Sequence, residues 1–311
     1  MPPTVSVVIP AYNAMAYLPE TLASVLNQTW TDCEVLIIND GSTDGITEWA
    51  TTVTDPRVRF MHQENGGVSR SRNLGIAQSQ GTYIAFVDAD DLWLSTKLEK
   101  QLQCFQHNPT LGLVYTWTQL IDELGTPTRT TICNHLEGQV WKDVLMSDPV
   151  GNGSAAMVHR RCLEQVGGFD PSLSIFEDRD LWIRIAEHYS FGVVKECLTH
   201  YRQHGNSAMR DRQKVLRDMR IVVDRSFATV PDEWLPIRNQ VYGSLLNWQA
   251  WEAYSAGDFE MASHLKTQAV LHQPSLKFSK NWMRLSLKLW LNQQRGSANS
   301  APEKVIASRF G

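Results

Sequence analysis

The chain has 311 residues, 42% of them hydrophobic and 20% charged, which is room for one full α/β domain and a smaller appendage in an ordinary globular protein. Lysine and arginine number 29 against 33 aspartates and glutamates, a net charge of −4, which excludes the broad positive field that draws nucleic acid. The 5 cysteines are scattered and form no Cys-x-x-Cys pair, which argues against a zinc site or a disulfide framework and fits a reducing cytoplasm.

The N-terminus has no basic segment followed by an apolar core, and no apolar run approaches the roughly 20 residues that span a bilayer. The expectation is a soluble, cytoplasmic protein, at most peripheral at the inner face of a membrane. In chain order, short β-branched runs alternate with helical patterns: 5–9 then 16–26, 34–38 then 46–52, 58–62 then 68–78, 83–87 then 97–105. Strands apolar on both faces and separated by helices predict a parallel sheet covered on both sides. Right-handed crossovers then place the loops after each strand along one edge, where such sheets bind ligands.

After about residue 110 the alternation turns irregular, with strands predicted at 113–118, 155–159 and 191–195, a short helix at 141–146 and an amphipathic helix at 176–189. From 211 the pattern is helical. The predicted organisation is a domain over 1–210, with halves 1–110 and 111–210, a helical appendage over 211–295 and a disordered polar tail over 296–311.

Several strand ends carry chemistry. Pro10 is expected to turn the first strand out of the sheet and to expose the backbone of Ala11 and Tyr12, where a flat base could sit, with Asn13 beside them in the nucleotide site. Asp40 ends the next strand at the same edge and could accept the N–H of a pyrimidine; its plain alternative is a turn plus helix cap in Asp40-Gly41-Ser42. Gly66-Gly67 opens a helix whose free N–H groups, with Arg72, could meet a pyrophosphate, the alternative being a solvated arginine. The apolar run 83–87 delivers Asp88, Asp90 and Asp91 to one point, where they repel unless a cation or protons compensate. Oxygen ligands select Mg²⁺ or Mn²⁺, and one of Asp90 and Asp91 is expected to cap the next helix instead.

In these residues the sequence resembles the family 2 glycosyltransferases, over residues 4 to about 205. The ordered set is Val-Ile-Pro-Ala-Tyr-Asn13, Asn39-Asp-Gly-Ser-Thr-Asp44, Arg72-Asn73-x-Gly75, Asp88-Ala-Asp90-Asp91, Gly167-Gly-Phe-Asp170 and Glu177-Asp-x-Asp-Leu-Trp182. The resemblance implies a GT-A fold, Rossmann-like and α/β, with a mainly parallel sheet flanked by helices and here a C-terminal helical appendage. It implies that Asp40 contacts the base, Arg72 the diphosphate, and Asp88 with Asp90 the ribose and metal. It also implies that Asp178 is the catalytic base and that His204, in a Tyr-Arg-x-His stretch, is a third metal ligand.

Asp178 has a physical case of its own. Sugar transfer with inversion needs a carboxylate that takes a proton from the acceptor hydroxyl while that oxygen attacks the anomeric carbon. Asp178 opens a helix whose apolar face fixes its direction, the alternative being a charge placed there by the helix dipole. Glu177 is a candidate for holding the acceptor and Asp180 for orienting either neighbour. Trp93 and Trp182 are the only tryptophans considered for sugar stacking, since the others supply core area.

Residues 282–291, aromatic and apolar with Arg284 and Lys288, form a candidate membrane-surface helix, with packing on the preceding helices the favoured alternative. The expected reaction moves a sugar from a nucleotide diphosphate donor, with uridine the expected base, to a hydroxyl of a glycan, a lipid-linked sugar or a protein. A metal-dependent nucleotidyltransferase or a non-catalytic nucleotide-sugar-binding protein of the same fold is the alternative. A nucleotidyltransferase would release pyrophosphate, and no Gly-rich triphosphate loop followed by lysine supports one.

Overall fold

The computed structural model describes residues 2–204, 212–228 and 230–299. Among these, one sheet holds nine strands: β1 (Val5–Ala11), β2 (Cys33–Asn39), β3 (Val58–His62), β4 (Tyr83–Phe86), β5 (Leu92–Trp93), β6 (Leu111–Ile121), β7 (Pro127–Ile132), β8 (Ala156–His159) and β9 (Ser190–Arg202). The helices around it are α1 (Leu18–Leu26), α2 (Ile46–Ala50), α3 (Val68–Gln78), α4 (Lys97–His107), α5 (Trp141–Met146), α6 (Arg160–Val166), α7 (Glu177–Ala186) and α8 (Arg212–Ser226). The order across the sheet is β3-β2-β1-β4-β8-β6-β9-β5, with β7 pairing to β6.

Every residue of β1 and β2 is buried, the pattern of central strands covered on both faces. Strands β1 to β4 pair in parallel, and β8 enters antiparallel between β4 and β6. Because β8 reverses direction on both sides, β6 runs the same way as β4, and β9, parallel to β6, runs that way too. The chain therefore leaves β1, β2, β4 and β9, and enters β8, at one edge of the sheet. Topology alone gathers residues near 12, 40, 88, 154 and 204 there.

Pro10 does not turn the chain out of the sheet: β1 continues through Ala11, with Pro10 opposite Ile38 and Ala11 opposite Asn39. A strand residue's N–H and C=O share a side, and sides alternate along the chain. Val8 C=O bonds Val87 N–H on the β4 side and Ala11 C=O bonds Asp40 N–H on the β2 side. Pro10's missing N–H thus faces the β4 side, where pairing has ended at Phe86, and no ladder bond is lost.

Helix α3 lies close on β1 because residue 75 has no side chain. A Cβ built there would stand 2.3 Å from Val8 Cγ1. Gly75→Ala is therefore expected to destabilise the domain by about 1–3 kcal/mol through overpacking, read as a lower denaturation midpoint.

Two expectations about boundaries change. The chain divides into compact units at 1–228 and 229–311, so α8 belongs to the first unit and not to an appendage starting at 211. The physical reason is polar anchoring: buried Asp218 accepts from the N–H groups of Ser174 and Ile175, and Arg225 pairs with Asp170 and Asp180. The second unit contains α9 (Leu235–Ser255), α10 (Phe259–His272) and α11 (Lys280–Asn299). Since α11 runs to Asn299, the first residues of the segment expected to be disordered, Gly296 to Asn299, are helical: they continue an established helix, and polarity alone does not break one. Residues 300–311 of that segment lie outside the described residues. No helix among the described residues is long and apolar enough to cross a membrane.

Candidate active site

The β1 and β2 exits are laced together. Asn13, at φ 48°, accepts from Thr43 N–H through Oδ1 (2.9 Å), and its own N–H donates to Ser42 Oγ (3.0 Å). Asp44 Oδ2 accepts from Met15 N–H (2.7 Å), while its Oδ1 is buried without a partner. Tyr12 stands 55% exposed beside them.

Asp40 is buried, and its oxygens are in use: Oδ1 accepts from Gln63 Nε2 (2.6 Å) and Gly66 N–H (2.9 Å), and Oδ2 from Gly67 N–H (2.8 Å). A carboxylate has about four lone-pair sites, so one remains for a ligand. Its structural work is to fasten the Gly66-Gly67 turn, and with it the start of α3, to the end of β2.

Beyond β4 the three aspartates separate into distinct roles. Asp91 is fully buried: Oδ1 accepts from Arg202 N–H (2.9 Å) and Oδ2 from the Ser154 hydroxyl, which itself accepts from Asp88 N–H (3.0 Å). Burial, then Asp90 and Asp88, push its carboxyl well above the usual range. Neither Asp90 nor Asp91 caps a helix. The chain goes on into β5, and α4 starts only at Lys97 behind Thr96.

Asp90 Oδ2 lies 2.6 Å from His204 Nε2, and the imidazole stacks on Tyr17 with centroids 5.5 Å apart. Burial and the neighbouring Asp88 raise the Asp90 carboxyl, against the pull of His204. Asp88 Oδ1 is held by Arg72 at 2.6 Å. Among the described residues no three His, Cys, Asp or Glu side chains already form a metal cage. Two hard carboxylates with one imidazole still suit Mn²⁺ or Mg²⁺, which bind through one or two carboxylates and complete their shell with substrate phosphates.

Arg72 joins the two groups of carboxylates. It is 2% exposed, donating through NH1 to Glu177 Oε1 (2.7 Å) and through NH2 to Asp88 Oδ1 (2.6 Å), with its Cζ 5.1 Å from the centre of the Phe169 ring. Gly153 makes the room: a Cβ there would come within 3.1 Å of NH2. Burial opposes its charge, but Asp88, Glu177 and Asp178 outweigh burial and hold the guanidinium above its ordinary value. The expectation of an arginine free to take a diphosphate gives way to a strut joining the two halves of the domain. The reason is that its forked nitrogens match two carboxylates brought from opposite sides.

Asp178 stands in the first turn of α7, half-buried, with Oδ1 accepting from Arg179 N–H (2.7 Å). Burial, Glu177 and Asp148 outweigh Arg72 and push its carboxyl up to about 8. The residue ahead of the helix, Phe176, is left-handed (φ 62°, ψ 15°), a conformation that a bulky residue adopts only when its surroundings enforce it. That strained entry aims the first turn of α7 at Arg72.

Three other expectations on this helix and its surroundings change. Asp180 orients neither neighbour: it bonds Arg184 (2.8 Å) and Arg225 (3.4 Å), because two residues along a helix turn it to the opposite side. Trp182 is fully buried against Phe169 (6.3 Å), and Trp93 is buried with Nε1 donating to Ser154 C=O (2.9 Å), so neither ring is open to a sugar. Glu177 is buried on Arg72, so its charge is committed before any acceptor arrives.

Three contributors had no role in the sequence reading. Ser154 links Asp88 to Asp91, and only the reversed strand β8 brings it there. Arg202 braces the edge, donating to Asp91 through its N–H, to Asp90 C=O through Nε (2.8 Å) and to Glu20 (2.8 Å). Tyr201 is half-buried, and burial together with Asp91, Asp88, Asp90 and Asp178 pushes its phenol up, which puts it within the field of both carboxylate groups. Alternation along β9 was the available signal, since Tyr201 and Arg202 must point to opposite faces.

A parallel half joined through an antiparallel strand to a second half, with acidic side chains from both at one edge, is the α/β arrangement of a GT-A-type transferase fold. Residues 6–167 match the family described as Glycosyl transferase family 2. The putative teichuronic acid biosynthesis glycosyltransferase TuaG of Bacillus subtilis is 32% identical over 220 residues, covering 69% of this chain and 85% of that protein. The chain belongs to glycosyl transferase family 2. It spans about a third of the length of the first curated relatives it matches.

Two solved structures share the fold. The mannosyltransferase PcManGT from Pyrobaculum calidifontis in complex with GDP-Man and Mn2+ superposes with a TM-score of 0.61 at 20% identity, over 94% of this chain and 88% of that one. S. aureus TarS 1-349 in complex with UDP-GlcNAc gives 0.60 at 15% identity, over 87% and 92%.

Proposed function

We propose that this chain is an inverting glycosyltransferase that moves a hexose from a nucleotide diphosphate donor, a UDP-sugar by expectation, onto a hydroxyl acceptor in the building of a polysaccharide or other glycan. The observation that carries the reading is the bridge Asp88–Arg72–Glu177, which ties the donor-side carboxylates to the helix start bearing Asp178. Family membership, a relative named for teichuronic acid biosynthesis and fold neighbours in complex with UDP-GlcNAc or GDP-Man support the substrate class.

In this reading the exposed face of Tyr12 and Asn13 receives the base, with the last lone pair of buried Asp40 behind them. Asp178 accepts the proton of the acceptor hydroxyl as that oxygen forms its bond to the anomeric carbon, and the bond from that carbon to the diphosphate oxygen breaks, releasing nucleoside diphosphate. Asp90 and His204, with Asp88, would hold a divalent ion, which supplies charge neutralisation to the leaving diphosphate when bound. Arg72 keeps Asp88 and Glu177 in place through the reaction.

The test is release of free nucleoside diphosphate from UDP-, GDP- and TDP-sugars with acceptor sugars and Mn²⁺ or Mg²⁺, abolished by a chelator and restored by the ion. Release of pyrophosphate from a nucleoside triphosphate would favour the nucleotidyltransferase alternative, and metal-dependent donor binding with no turnover on any acceptor would favour the non-catalytic one.

A pH dependence follows from Asp178. The base must be unprotonated, and its carboxyl stands at about 8, so kcat/KM is expected to fall about tenfold per pH unit below that value and to level above it. A profile flat from pH 6 to 9 would overturn the raised carboxyl, and full turnover in Asp178→Asn would remove Asp178 as the base.

A further inference from the structure

Helix α11 shows two unlike faces. Leu285 and Leu289 are 0% and 5% exposed and turn inward, as does Trp282, which lies under Lys266 with Nζ 4.3 Å from the ring centre. On the other side Met283, Leu287, Trp290 and Leu291 are 48%, 57%, 54% and 43% exposed, and Phe278, just ahead of the helix, is 83% exposed. Their spacing of four, three and one residues puts the four helical positions on a single arc of roughly 100°. Single exposed apolar side chains are ordinary on a protein surface; a contiguous stripe that includes a tryptophan marks an interaction site.

Charge says what kind. The sequence from 261 to 299 holds Lys266, Lys277, Lys280, Arg284, Lys288 and Arg295 and no aspartate or glutamate, in a chain whose net charge is −4. Arg284 borders the arc on one side, and Lys280, one helical turn before it, lies within the arc at its N-terminal end. A second copy of this chain would bring the same cations against them across a twofold contact, so self-association through this face is opposed by its own charge. An apolar stripe edged by lysine and arginine, on a helix too polar to span a bilayer, matches a surface that lies in the headgroup region of anionic lipid.

The geometry points to α11 and Phe278 as a docking surface for an anionic lipid bilayer, holding the chain at a membrane without crossing it. This is independent of the proposed reaction, because no residue of the candidate active site takes part.

The experiment is co-sedimentation of the full chain with vesicles of phosphatidylcholine alone and of phosphatidylcholine mixed with phosphatidylglycerol, at low and high salt. Binding is expected to be at least about tenfold stronger to the anionic vesicles and to weaken with salt. Two double variants, Leu287→Ser with Trp290→Ser and Lys280→Glu with Arg284→Glu, are each expected to lower it about tenfold or more, with an unchanged denaturation midpoint because the inward residues are untouched. The proposal is overturned if the wild-type chain stays in the supernatant with anionic vesicles, or binds neutral vesicles equally well. It is overturned too if sedimentation shows a dimer that Leu287→Ser with Trp290→Ser dissociates.

Discussion

Asp178→Asn is expected to lower kcat by about 10³-fold, within the 10²–10⁴ that a positioned general base contributes, while donor binding stays within about twofold of wild type. Asparagine keeps the shape and the oxygen that accepts from Arg179 N–H, so the change removes the proton acceptor and little else. The measurement is single-turnover release of nucleoside diphosphate beside donor titration of the same variant.

Stability should move the opposite way. In the folded protein the carboxyl stands at about 8 against an ordinary 3.8. A raised folded value means that stability present at low pH is lost as pH rises from the ordinary value through about 8. Asp178→Asn escapes that loss, so at pH 8 it is expected to show a higher denaturation midpoint than wild type, with the gain vanishing near pH 4. A variant both inactive and less stable at pH 8 would point to a structural role for the residue.

How much of this could be read from the chain alone depends on the kind of question. The parallel half was legible because β1 and β2 are β-branched runs buried on both faces, and because a strand that ends in polar residues tells which edge those residues reach. The short helix predicted at 141–146 is α5 itself, bounded by the polar turns around it. What period and spacing do not carry is the partner of a side chain. Arg72 reads as a helix-start cation meeting an anion, and the anions it meets are Asp88 and Glu177 of its own chain. Asp40 and Trp182 reach the expected region, yet backbone N–H groups occupy one and core packing the other. The limits of the first unit were illegible for the same reason, since α8 is held by Asp218 and Arg225, polar residues whose partners lie about 45 residues back.

Removing the strut should be the most damaging single change. Arg72→Met leaves Asp88 and Glu177 facing one another with no compensating charge, and breaking a buried ion pair from one side costs about 3–5 kcal/mol. At about 2–4 °C per kcal/mol for a domain of this size, the midpoint is expected to fall by about 10 °C. Arg72→Lys should recover only part of this, because one ammonium cannot reproduce the planar fork that spans both carboxylates.

The interaction can be separated from bulk loss of packing by adding Glu177→Gln. If Arg72 acts by compensating charge, the double variant is destabilised by less than the sum of the two single changes, with a coupling of about 1 kcal/mol or more. Arg72 also lowers the Asp178 carboxyl, so its removal should carry the acid limb of the kcat/KM profile to higher pH in whatever fraction remains folded. Strict additivity of the two changes, together with an unmoved limb, would mean that Arg72 fills space rather than joining the two halves of the site.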